Sequence, residues 1–279
     1  MLPRTRFGNS NCAVIVSSVS LKYFDLLYHR SGDKIHLFLF TFVYVNELAK
    51  LLLTFMTMDF TPIFLSLQLA VITTVLLLVI AIPLAGWLSM TKTKLKPLLE
   101  TLIALPLVLP PTVLGFYLLI AFSPNRGLGA WLDDTLGLRL VFSWGGLVIA
   151  SMIYSLPFMV QPILAGLRNL DQHIHEASYV LGKSKWQTLR HISYPNVKPS
   201  IWTGVVLSFA HTLGEFGVVL MIGGNIPGET RVASIAIYDQ VEALNYAAAN
   251  TYALILLVLS FVILLTVYYI NNRSIMSWR

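Results

Sequence analysis

Residues 168–198 read RNLDQHIHEASYVLGKSKWQTLRHISYPNVK, the longest polar stretch between any two charge-free runs of the chain. It has the marks of built structure. Asp171 is a helix N-cap residue, and Ile174, Ala177, Val180 and Leu181 recur at helical spacing. Gly182 falls where a helix C-terminus needs a residue tolerant of positive φ. Ser184 and Gln187 then form the S-x-x-Q pattern of a capping box, so a second short helix is expected to start there. Pro195 and Pro199 are expected to end it and open the next apolar run. The stretch therefore reads as helix, glycine turn, helix.

What flanks this loop sets its surroundings. The chain of 279 residues is 56% hydrophobic and only 11% charged, far from the composition of a soluble domain. Crossing a bilayer takes about 20 apolar residues in a helix. Phe64–Leu88, Thr101–Phe122, Leu140–Leu167 and Thr251–Ile270 contain no Asp, Glu, Lys or Arg, and Pro199–Gly228 carries only Glu215 and the titratable His211. This pattern predicts an all-α polytopic membrane protein with five core spans, because helices satisfy the backbone internally in lipid. Ile35–Met56 is apolar enough for an extra N-terminal helix, although Glu47 and Lys50 lie inside it.

The net charge of +6 is unevenly placed. The loops at 89–100, 168–198 and 271–279 hold Lys92, Lys94, Lys96, Arg168, Lys183, Lys185, Arg190, Lys198, Arg273 and Arg279, whereas those at 123–139 and 229–250 hold only Arg126, Arg139 and Arg231. Basic residues concentrate on the cytoplasmic side of membrane proteins, so the first set, the 168–198 loop and the C-terminus are expected inside. The basic balance is thus a topology signal rather than a nucleic-acid footprint. Cys12 is the only cysteine, which excludes an internal disulfide and any cysteine-based metal site. His173 and His175 are two apart and point to different helix faces, so no metal and no cofactor is expected.

Two apolar runs carry residues that do not belong in an ordinary helix. Leu105-Pro106-Leu107-Val108-Leu109-Pro110-Pro111-Thr112, followed by Gly115, puts three prolines at mid-membrane. Carbonyls freed there must be buried against protein or face a watery cavity. Phe209-Ala210-His211-Thr212-Leu213-Gly214-Glu215-Phe216-Gly217 contains the only carboxylate inside a predicted span. A charge at the centre of a helix costs about 3 kcal/mol on insertion scales, so Glu215 is expected to face protein or water. Pro110, Pro111, Thr112, His211, Gly214, Glu215 and Gly217 are accordingly the pore or gate candidates. Pro83 and Gly86 predict a kink near the inner end of the first span. Thr73 and Thr74 are expected to bond back to their own helix, and Gly145 and Gly146 to permit close helix packing. No internal repeat is visible.

The loop resembles the cytoplasmic E-A-A-x3-G-x9-I-x-L-P pattern of ABC importer permeases at Glu176, Ala177, Gly182, Ile192 and Pro195, with Ser178 in place of the second alanine and Tyr194 in place of the leucine. The proline-rich run, the L-G-E-F-G run and Asn225-Ile226-Pro227-Gly228 resemble molybdate permeases, in many of which an arginine stands where this chain has His211. The resemblance implies a type I importer fold whose two short loop helices fit a groove in a separate ATPase subunit. Glu176, Ala177, Ser178, Gly182, Ile192 and Pro195 would carry that coupling. It also implies a homodimer with the pore between copies, and an oxyanion-binding protein docking on the outer face. Molybdate is the expected cargo; tungstate and sulfate are alternatives of the same shape and charge.

The resemblance covers residues 58–275. Met58-Asp59-Phe60-Thr61 resembles the start of short permeases, so residues 1–57 are either an upstream extension or an extra span. No G-x-x-x-x-G-K-[ST] stretch occurs in the chain, so it does not cradle nucleotide phosphates by that route. A secondary transporter or channel is the rival class, but such proteins commonly show inverted repeats and paired intramembrane charges, and neither is seen here.

Overall fold

The computed structural model describes residues 45, 55, 58–125 and 127–276, and side chains for all of these except 267 and 270–276. The expectations for residues 1–57, whether extra span or upstream extension, and for the loop placement of Arg126 and Arg279, lie outside the described residues but for positions 45 and 55. The described helices from Met58 onward form one unit.

Three helices are long and apolar enough to cross a membrane unaided: α1 (Thr61–Met90), α5 (Trp144–Arg168) and the first part of α12 (Tyr246–Met276). Two further spans are broken. Helix α2 (Lys96–Val108) meets α3 (Pro111–Ala121) at a bend of 114°, and α9 (Lys198–Leu213) meets α10 (Gly217–Gly223) at 59°. Counting each bent pair as one span gives up to five, the number expected from the apolar runs. The remaining elements are α4 (Gly127–Leu136), the loop helices α6 (Gln172–Val180), α7 (Lys185–Thr188) and α8 (Tyr194–Asn196), and α11 (Ala233–Glu242).

Both breaks follow from local chemistry. A residue before proline is pushed out of the α region. Leu109 precedes Pro110 and has ψ 135°, and Pro110 precedes Pro111 and has ψ 136°, so two consecutive extended residues turn the chain. The second break opens at Gly214 and closes at Phe216, whose φ of −128° and ψ of −58° are not helical. Isolated prolines behave otherwise: Pro83, Pro157 and Pro162 lie inside uninterrupted helices. A lone proline costs one helical hydrogen bond, which flanking turns tolerate; adjacent prolines forbid the helix outright.

Helix α5 is the central element, packed against α1, α9, α10 and α2. At the half nearer the 168–198 loop, Leu77, Ala81, Ala85 and Leu88 of α1 pack on Met159, Val160, Ile163, Leu164 and Leu167 of α5. At the other half, Leu65 and Leu69 pack on Leu147 and Val148, joined by Val219 and Ile235. The close helix approaches use glycines other than those expected. A β-carbon on Gly204 of α9 would lie 2.9 Å from the Met159 carbonyl oxygen, and one on Gly166 of α5 would lie 2.7 Å from Ser200 Cβ. Gly145 faces open space, and Gly146 is pressed against the Leu140 carbonyl, where Ser143 caps α5 by accepting from Gly146 N at 3.2 Å. The Thr73 and Thr74 hydroxyls are buried without partners, against expectation, while Ser66 bonds back to Pro62 O at 3.0 Å and accepts from Ala233 N at 2.7 Å. The Ala247–Ala249 run opens α12, and α11 supplies the short helix before it.

The packing of α9 on α5 is directly testable. Gly204→Val introduces atoms where Met159 leaves no room, and overpacking of this kind costs about 1–3 kcal/mol. The unfolding midpoint of the purified protein in detergent is expected to fall accordingly, whereas Thr203→Val, on an exposed neighbour, leaves it within error.

Candidate functional site

The loop helices are built by the residues that the sequence singled out. Asp171 accepts from His173 N at 2.9 Å and so caps α6. At the other end Gly182 adopts φ +72°, Gly182 N donates to Tyr179 O at 2.9 Å, and Lys183 N donates to Ser178 O at 3.1 Å. This pair of bonds closes the helix with a left-handed residue, which only a residue without a β-carbon adopts cheaply. Ser184 and Gln187 exchange bonds of 3.3 and 2.9 Å and start α7. The chain does not stop at Pro195 as expected. It passes through a π-helical turn at Leu189–Ser193 and the single turn α8, and Pro199 sits in the first turn of α9, where its missing N–H costs nothing.

Both departures from the family pattern have a use here. Ser178 is buried, and its hydroxyl lies 2.8 Å from that of Thr188, joining α6 to α7. Tyr194 donates its hydroxyl to Ile82 O in α1 at 2.8 Å. Its ring tip and Leu189 fill a notch over Gly86: a β-carbon at Gly86 would collide with the Tyr194 hydroxyl and come within 2.7 Å of Leu189 Cδ2. Leu189 and Val197, each 3% exposed, belong to the inner core cluster of α1 and α5. The loop is therefore seated in the C-terminal end of α1. Leu189 and the Gly86 notch were not legible as site residues; the one hint was a glycine three positions after Pro83.

The opposite face of the loop is uncovered. Val180 is 87% exposed and Leu181 78%, with Trp186 beside them in sequence order and also exposed. Glu176 accepts from Gln172 Nε2 at 2.8 Å and lies 3.5 Å from His173 Nδ1, bonds within its own helix only. Ala177 and Pro195 are exposed and Ile192 is half-buried.

The pore candidates gather elsewhere. Pro111, Thr112, His211, Gly214, Glu215 and Gly217 line one cavity of about 330 Å³ with Tyr154 and Phe216. The two helix breaks thus face each other. Pro110 makes the turn but does not line the space. Gly217 permits the approach, since a β-carbon there would lie 2.7 Å from Pro111 Cβ. His211 sits edge-on between Phe158 and Tyr154, with ring centroids 3.9 and 4.6 Å away, and pairs with no acid among the described residues. Glu215 is 4% exposed, and neither carboxylate oxygen has a hydrogen-bond partner. The nearby Ser151 hydroxyl is also unpaired, while Ser234 donates to the Glu215 backbone carbonyl at 2.5 Å. Among the described residues no three His, Cys, Asp or Glu side chains gather where a metal ion would bind.

This arrangement, two broken spans around a cavity and a seated loop with a bare outer face, is accompanied by a family match over residues 78–275 to the model described as binding-protein-dependent transport system inner membrane component. The chain belongs to that family. It is 46% identical to the molybdenum transport system permease protein ModB of Azotobacter vinelandii over 75% of this chain and 93% of that one. It is 38% identical to a protein described as the putative molybdenum transport system permease YvgM of Bacillus subtilis, over 74% and 90% of the two chains. The fold matches that of a crystal structure of a bacterial ABC transporter involved in alginate import, with TM-score 0.69 at 18% identity, covering 94% of this chain and 98% of that one. The protein is thus an all-helical, multi-pass membrane component with the type I importer fold, and its relatives are transport permeases rather than enzymes.

The seating of the loop predicts a measurable cost. Tyr194→Phe removes the bond to Ile82 O while keeping the ring, and is expected to destabilise the purified protein by about 1 kcal/mol, read as a shift in the denaturation midpoint.

Proposed function

We propose that residues 58–275 are the permease domain of a molybdate importer, with residues 168–198 as its coupling loop. The cargo assignment is supported by the relatives described as molybdenum permeases. The assignment of the loop is carried by one observation: its inner face is locked into α1 while Val180 and Leu181 stand bare on its outer face. A short amphipathic helix with an exposed apolar edge suits docking into a partner's groove. We take that partner to be a separate ATPase subunit, with Glu176, Ala177, Ser178, Gly182, Ile192 and Pro195 building the docking helices, and the loop and C-terminus on the cytoplasmic side.

In this reading two copies of the chain enclose the pore about a two-fold axis. A loaded binding protein docks outside. ATP binding closes the ATPase pair, draws the coupling loops together and tilts α1 and α5 with them. The breaks at Pro110-Pro111 and Gly214-Glu215 are where spans bend between inward-open and outward-open states. Glu215 is deeply buried beside Ser151, at the break itself, and we place it at the bend rather than at an anion site, because an ionised carboxylate repels an oxyanion. Among the described residues, no lysine or arginine lines that cavity. A dianion passes without being trapped, as transport requires release as well as binding.

The docking assignment is tested with Gly182→Asp. Its positive φ makes any side chain costly there, and the cap of α6 is lost. The ATPase is expected to drop out of the purified complex while the membrane fold persists; an unchanged complex contradicts the assignment. An impermeant maleimide is expected to label Ser184→Cys only from the cytoplasmic side. Cargo is read by reconstitution: molybdate-loaded binding protein is expected to stimulate ATP hydrolysis. Stimulation by a sulfate-loaded one alone removes molybdate and leaves the permease.

A further inference from the structure

A second cavity, of about 450 Å³, lies between the coupling loop and the inner ends of the spans. Its walls come from the end of α1, the start of α2, the end of α5, and the inner faces of α6 and α7. Lys92, Lys96, Arg168 and Lys185 all line it. Arg168 pairs with Glu100, but among the described residues none of the three lysines pairs with an acid. Glu176, the nearest loop acid in sequence, is turned to Gln172 and His173 instead. The hydroxyls of Ser89, Thr91, Thr188 and Ser193 on the same walls already donate to backbone carbonyls. The cavity therefore offers a surplus of positive charge, no free acid, and a volume in the range of small-ligand sites.

We propose that this cavity binds a phosphate-like tetrahedral oxyanion group, as a lipid headgroup or as a free ion. Three lysines from separate elements, none paired with an acid among the described residues, line one half-open cavity, and each offers up to three donors to an oxyanion. Like charges held together without a counter-ion repel one another, so an anion in the cavity relieves a standing cost. Basic pockets between spans at the inner membrane surface are suited to anionic headgroups. The position gives the ligand a consequence. Lys92 lies in the link just after α1, Lys96 opens α2, and Lys185 opens α7. An anion bridging them ties the coupling loop to the spans beside the Gly86 notch, whose occupant Leu189 also lines the cavity, and stiffens the lever on which transport depends. The placement of this cavity in the cytoplasm rests on the proposed orientation, but binding is read without transport, so the two fail separately.

The test uses the full chain in nanodiscs and follows its thermal unfolding midpoint. The arms are phosphatidylcholine alone, phosphatidylcholine with phosphatidylglycerol, and phosphatidylcholine with added inorganic phosphate. Saturating ligand is expected to raise the midpoint by about 5 °C. The Lys92→Gln/Lys185→Gln double variant is expected to lose that rise. The charge-matched control Lys94→Gln/Lys183→Gln, at exposed lysines outside the cavity, is expected to keep it. A rise with phosphatidylglycerol only assigns the site to lipid, and a rise with phosphate in neutral discs assigns it to a free oxyanion. Absence of a rise from either source overturns the proposal. So does a rise that survives in the cavity variant, or one lost equally in the control, since the effect is then diffuse surface charge.

Discussion

A loop can move a membrane span only if it is fixed to it, and here the fixing point is the absence of one carbon atom. Gly86 leaves a notch in α1 that Leu189 and the tip of Tyr194 occupy, with the Tyr194 hydroxyl bonded to the Ile82 carbonyl. Leu189 and Val197 extend the inner core of α1 and α5 into the loop. The outer face of the same loop is held rigid by local means: the Asp171 cap, the left-handed Gly182 and the Ser184–Gln187 box. Rigid packing transmits displacement where a slack connection would absorb it. In the proposed coupling role, a push on α6 would be delivered to the end of a helix 30 residues long.

The other half of the structure is governed by the lipid. A bilayer interior offers no water to backbone groups, so an interrupted helix must turn its freed carbonyls toward protein or a cavity. Both interruptions, at Leu109-Pro110 and at Gly214–Phe216, are placed against each other and leave the cavity lined by His211 and Glu215. The uninterrupted helices α1 and α5 form the frame, and the bent ones are the parts proposed to change. One end of the frame carries the loop.

The sequence disclosed what is local. Caps, the glycine turn, the double-proline break and the spacing of charge along the chain depend on residues within a few positions of each other. Asp171, Gly182 and Ser184 could be assigned for that reason. Thr112, His211 and Glu215 stood out singly as odd residues in apolar runs, but nothing local says that the two breaks meet in one cavity. What stayed hidden depends on the tertiary meeting of helices. Gly86 read as a kink because its partners, Leu189 and Tyr194, lie more than a hundred positions away. Thr73 and Thr74 looked able to bond back, yet their hydroxyls are buried without partners. Gly145 and Gly146 resembled a packing motif, while the helices meet at Gly166 and Gly204. Proline alone was also a poor guide, since breaking a helix here took two in succession.

The most direct measurement of whether the notch transmits motion is transport by a Gly86→Leu variant, assembled with its ATPase and binding protein in proteoliposomes. The side chain fills the space that Leu189 and Tyr194 need. The account predicts an assembled complex that still hydrolyses ATP at its basal rate but no longer responds to the loaded binding protein or imports its cargo. An assembled complex with undiminished import would show that the loop drives the spans by some other contact.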